Sequence, residues 1–108
     1  MSRRPFDGFE VHLVAEFHAN GQPYSETIDT VEEYENEREE ANFFYYTTYG
    51  HRGWQDQWGG ILEDGGAEAL ADFPSYRDAL DLAYALADGK PVTDMVPEGL
   101  ENVGTPHA

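Results

Sequence analysis

Glu32, Glu33, Glu35, Glu37, Glu39 and Glu40 crowd one short stretch of the chain, with Arg38 as its only cation. On a helix, Glu33/Glu37 and Glu35/Glu39 are like-charge pairs at i,i+4, each costing about 0.2–0.5 kcal/mol. A helix that tolerates this either gains by binding a cationic surface or works in high salt. A regular row of carboxylates can imitate duplex phosphates, whose charges lie about 1.7 Å apart along the axis. The ordinary reading of the same residues is a solvated helix face. Acid continues beyond this stretch at Glu63, Asp64, Asp72, Asp78, Asp81 and Asp88, interleaved with apolar positions. A folded scaffold would therefore hold these charges in fixed places.

A second set is aromatic. Tyr49, Trp54 and Trp58 stand with Gly53, Gly59 and Gly60 in a polar, glycine-bearing stretch. Trp and Tyr dominate the energetics of protein interfaces, so Trp54 and Trp58 are candidate anchors, unless they cover the core of a small sheet. Stacking on nucleic acid uses the same residue types, but no basic groove accompanies them. The histidines offer less. His12 and His18 share one face of a strand but lie about 20 Å apart, too far to share a metal. The pairs His12/Asp29 and His51/Asp56 have no adjacent nucleophile and no third ligand. No nucleophile elbow, phosphate-binding glycine loop or calcium-loop spacing is present. The sequence thus points to no catalytic residue, metal or cofactor.

Composition narrows the partners. The 108 residues hold 22 acidic side chains against 6 lysines and arginines, a formal net charge of −16. Such a molecule repels nucleic acid and anionic membrane and attracts basic proteins. With no cysteine, a disulfide scaffold and a thiolate site are excluded, and an intracellular setting is expected. Met1–Asp7 carries two arginines, but the Phe9–Ala19 stretch behind them alternates instead of forming the apolar run of a signal peptide, and no segment reaches the roughly 20 apolar residues of a membrane helix.

The elements that must position these groups follow from periodicity. Phe9, Val11, Leu13, Ala15 and Phe17 alternate with Glu10, His12, Glu16 and His18, which predicts a strand with one buried face. Asn20-Gly21 predicts a two-residue hairpin turn, setting Phe17 opposite Tyr24, Leu13 opposite Ile28 and His12 opposite Asp29. Pro23 and Glu26 mark the second strand as an edge strand. Thr30-Val31-Glu32-Glu33 has capping-box form and predicts a helix over about Val31–Ala41, with Val31, Tyr34 and Ala41 as its apolar stripe. Asn42–Tyr49 reads as a buried strand. Gly50–Gly66 is either a long irregular loop or holds a short strand near Trp54–Leu62, and Ala69–Phe73 is a further short strand. Ser75 caps a helix with a stripe of Tyr76, Ala79, Leu80, Ala83, Tyr84 and Ala87, ended by Gly89 and Pro91. The expectation is an α+β fold: a small antiparallel sheet of four or five strands with two helices packed on one face. Residues 1–92 form the domain, and 93–108, rich in glycine and proline without a period, a loosely attached tail.

The stretch Ala69-Leu70-Ala71-Asp72-Phe73-Pro74-Ser75-Tyr76-Arg77-Asp78-Ala79-Leu80 resembles a strand–turn–helix ending common in short proteins of phages and mobile elements. In its size, absence of cysteine, α+β pattern and acidity, the whole chain resembles anti-CRISPR proteins. Many of those occupy the nucleic-acid path of a CRISPR effector complex as DNA mimics. They share no motif, so the resemblance carries over no residue. It implies a cytoplasmic, non-enzymatic inhibitor, monomeric or weakly dimeric, acting on a basic nucleic-acid-binding protein such as a CRISPR effector subunit. It would touch neither nucleic acid nor membrane. The expected contact residues are Glu32, Glu33, Glu37, Glu39, Glu40, Asp78, Asp81, Trp54 and Trp58. The rival expectations are an ordinary small domain of a salt-loving organism and a self-associating structural module.

Overall fold

A computed structural model describes residues 6–55 and 61–104, with the backbone alone for 52–55 and 61–66. The alternating segment forms strand β1 (Gly8–Ala19). Asn20 and Gly21 both adopt positive φ, 55° and 76°, the mirror-image turn geometry that matches the twist of the flanking strands. The chain returns as β2 (Gln22–Ile28) with Phe17 opposite Tyr24 and Leu13 opposite Ile28, the register that the turn dictates.

After a short helix, α1 (Val31–Glu37), strand β3 (Phe43–Gln55) pairs antiparallel with β1, and β4 (Ile61–Phe73) pairs antiparallel with β3. Helix α2 (Tyr76–Ala87) and the three-residue strand β5 (Val92–Asp94) complete the order. Four strands run β2-β1-β3-β4, and β5 lies parallel to β1 at Phe9–Val11. Because β2 reaches only to Leu13, β5 occupies the part of that β1 edge which β2 leaves open.

The fold is α+β with both helices on one face of the sheet. Phe9, Val11, Leu13, Ala15 and Phe17 from β1 meet Phe44 and Tyr46 from β3 and Ala79, Ala83 and Ala87 from α2 in one buried cluster. Full burial of side chains such as Leu13 and Ile28 is worth about 1.5–3 kcal/mol each. The small alanines let α2 sit so close that the buried Thr48 hydroxyl donates to the Ala79 carbonyl at 2.6 Å. That bond removes the cost of a hydroxyl on the core face. Tyr84, expected in the stripe of α2, is instead 62% exposed. The alanine row turns it away from the sheet.

Two further expectations are corrected, and one open alternative is narrowed. In the stretch 50–66, for which the sequence allows either a loop or a short strand, the described residues 50–55 and 61–66 are strand. They extend β3 and β4 into an antiparallel arm, with Gly53 opposite Asp64 and Trp54 opposite Glu63, past the last β1 pairing at His51. Bulges at Thr48/Tyr49, His51/Gly53 and Trp54/Gln55 break the period that would have revealed it. Helix α1 stops at Glu37 rather than near Ala41. Lastly, residues 93–104 are not a loose tail. Val96 and Leu100 are buried in the core, and the Tyr46 hydroxyl donates to the Leu100 carbonyl at 2.6 Å and accepts from the Val103 amide at 3.0 Å. Few apolar residues lie in that stretch, so burying two of them leaves no periodicity to read.

Candidate functional site

The glutamate stretch begins as its sequence requires. The Thr30 hydroxyl accepts from the Glu33 amide at 3.0 Å, and Glu32 and Glu33 sit in the first turn of α1, where the partial positive charge of the helix end favours them. The other end is unfavourable. No basic residue occupies the last turn, and Glu37, Glu39 and Glu40 crowd the negative end of the dipole. The Asn42 amide donates to the Glu16 carbonyl at 2.8 Å, and its side-chain oxygen accepts from the His18 amide at 3.0 Å. These bonds pull the chain onto β1. Glu39 and Glu40 therefore lie on the turn that follows α1, with the Glu40 and Ala41 amides both donating to the Glu37 carbonyl.

The result is a bent acidic ridge rather than a straight row. Glu32, Glu35, Glu39 and Glu40 are exposed, and Glu33 and Glu37 are half-buried. Arg38 pairs with Glu35 at 3.3 Å, so the repulsion between Glu35 and Glu39 is partly offset. Tyr34 anchors the ridge, its ring 5.0 Å from that of Phe44, while Val31 stays 45% exposed.

The remaining predicted residues lie apart from the ridge. Asp78 and Asp81 are exposed on α2, which lies over β1, β3 and β4, whereas α1 touches the sheet at β2. Asp81 pairs with Arg77 at 3.1 Å. Trp54 is in the β3–β4 arm, and only its backbone is among what is described; Trp58 lies outside the described residues, as does Asp56.

The face of the sheet opposite the helices was missed. It carries Glu10, His12, Val14, Glu16 and His18 from β1, alongside Phe43, Tyr45, Thr47 and Tyr49 from β3. Val14 and Thr47, on this face, are 2% and 1% exposed. The Thr47 hydroxyl donates to Asp72 at 2.7 Å, and the Tyr45 hydroxyl lies 3.5 Å from a Glu16 oxygen. Burial, then the carboxylates of Asp72 and Glu16, push the Tyr45 phenol up to about 12. Burial, then Asp72 and Glu10, raise that of Tyr49. Both stay neutral donors at any ordinary pH. The signal in the sequence was the row Phe43, Tyr45, Thr47, Tyr49, masked by the equally apolar Phe44, Tyr46, Thr48 on the other face.

The histidines join this face. His18 bonds Glu16 at 2.9 Å and meets Phe43 edge to face. His12 lies 3.6 Å from Glu10 and 3.8 Å from Asp29, edge-on to Tyr49, with its Nδ1 buried and without a hydrogen bond. Among the described residues no group of three His, Asp or Glu side chains is placed to hold a metal ion, and no helix is long and apolar enough to cross a membrane.

No protein-family model matches this chain, and no curated protein or solved structure matches it. The functional reading rests on the chemistry of its own faces.

Proposed function

We propose that this chain is a non-enzymatic inhibitor that binds the basic nucleic-acid-binding surface of another protein, in the cytoplasm of a microbial host, by presenting carboxylates where that surface expects phosphates. A CRISPR effector complex is the partner that the resemblance favours. One observation carries the reading. The described basic side chains are all engaged at home: Arg38 with Glu35, Arg77 with Asp81, and Lys90 with the Phe6 carbonyl. Among the described residues the exposed carboxylates of Glu32, Glu39 and Glu40 make no ion pair, and they stand on a ridge fixed by Tyr34 and Asn42. Lysines and arginines shaped for a phosphate backbone gain charge-assisted hydrogen bonds there without the cost of ordering a flexible tail.

The test is competition. A purified CRISPR effector complex is mixed with labelled target DNA, and the chain is added at low and at high salt. Displacement of DNA at low salt that fades at high salt supports the reading. Substituting Glu32, Glu39 and Glu40 by Gln should weaken it while the fold persists. Failure of the folded wild-type chain to displace DNA from this complex or from other basic DNA-binding proteins at low salt rejects the reading.

A further inference from the structure

We infer that the open face of the sheet is a docking surface for an arginine-bearing segment of a protein partner, with Tyr45 and Tyr49 as stacking platforms and Glu10, Glu16 and Asp72 as the carboxylates that grip the guanidinium groups. The inference rests on the proposed cationic partner but assigns it a different surface, on the opposite side of the sheet from α1.

Three features of the face argue for arginine. First, the lysine and arginine side chains that are described lie off this face. Glu10, Glu16 and Asp72 lie on it or at its edge, while Arg38, Arg77 and Lys90, the basic side chains among the described residues, are all held elsewhere. Among the described side chains histidine is the local counter-group, and His18 already shares Glu16. Second, the carboxylates flank the rings. Glu10 stands opposite Tyr49 across the β1–β3 pairing, the Tyr45 hydroxyl lies 3.5 Å from a Glu16 oxygen, and Asp72 stands opposite Thr47, between the two tyrosines. A planar guanidinium laid over either ring has acceptors at its rim. This is the geometry in which arginine combines stacking with in-plane hydrogen bonds and lysine cannot. Third, the platform is stiff. Val14 and Thr47 beneath it are closed to water, and Thr47 fixes Asp72 through its hydroxyl, so little order must be created on binding.

The test uses the full-length chain with two probes, a hepta-arginine and a hepta-lysine peptide, followed by amide NMR at low ionic strength. The arginine peptide should bind about tenfold tighter than the lysine peptide, and the largest shifts should fall at Glu16, Tyr45, Thr47, Tyr49 and Asp72. Replacing Tyr45 and Tyr49 by Leu, which keeps apolar cover over Val14, should abolish the preference for arginine. The wild-type shifts decide the matter even if that variant folds poorly. Equal affinity for the two peptides, or shifts confined to α1 and its following turn, overturns the sheet-face assignment and leaves the cationic partner standing. Binding of neither peptide overturns the inference, and DNA displacement in the competition test then decides the proposed function separately. Concentration-dependent shifts of the sheet face without peptide identify a second copy of the chain as its occupant and overturn the inference.

Discussion

The hydroxyl of Tyr46 donates to the carbonyl of Leu100 across the core, at 2.6 Å. The same oxygen accepts from the Val103 amide, so one side chain from the central strand ties down the C-terminal segment. Replacing Tyr46 by Phe keeps the ring and leaves a buried carbonyl and an amide without this partner, which should cost about 1–3 kcal/mol. Urea denaturation should show a lower midpoint, and amide exchange should quicken first in residues 100–104. An unchanged midpoint would mean that water takes over both groups freely.

Gly50 faces the ring of Phe6 so closely that an added Cβ would lie 2.5 Å from it. Gly50→Ala should therefore lose about 1–3 kcal/mol to overpacking. Truncating Phe6 to Ala opens that space, so the double variant should lose clearly less than the sum of the two single losses. Strict additivity in a double-mutant cycle would show that the ring simply moves aside.

What the sequence disclosed, and what it hid, follows the range of the interactions involved. The β1–β2 hairpin was legible to the residue because Asn20-Gly21 and the alternation of Phe9–Phe17 are local and agree. The cap at Ser75, whose hydroxyl accepts from the Asp78 amide, was legible for the same reason. The end of α1 was not. It is set by Asn42 bonding Glu16 and His18, residues far away in the chain. The role of 93–104 was hidden likewise, because Val96 and Leu100 join a core built from residues far away in the chain. Of the candidate site, the acidic ridge was read as a straight helix face, and the aromatic-acidic sheet face was hidden by β3 being apolar on both sides.

Alkaline titration offers a third check. Tyr45 is pushed up to about 12 by burial and by Asp72 and Glu16, and Tyr76 to about 12 chiefly by its hydrogen bond to Asp94. In the unfolded chain both ionise near the ordinary value of about 10. Groups raised in this way contribute stability that is fully present below pH 10 and is lost as pH rises toward 12. Stability should thus fall across that window, and Tyr76→Phe should make the fall shallower. A fall equally steep in the variant would assign it to other groups.

Salt separates the proposed function from a high-salt origin of the charge. With a formal net charge of −16, self-repulsion opposes compaction at low ionic strength and is screened once the Debye length shrinks from about 10 Å at 0.1 M to about 3 Å at 1 M. Against it stand the buried cluster around Leu13 and Tyr46 and the satisfied hydroxyls of Thr48 and Tyr46, none of which needs salt. The chain should accordingly be cooperatively folded in dilute buffer, with a urea midpoint that rises modestly as sodium chloride is added. Replacing Glu39 and Glu40 by Gln at the negative end of α1 should raise the dilute-buffer midpoint, and this gain should shrink in 1 M salt. Circular dichroism across a salt series reads both effects. A chain that is unfolded in dilute buffer and folds only near molar salt would tie its acidity to its habitat, and the carboxylate ridge would then need no partner to explain it.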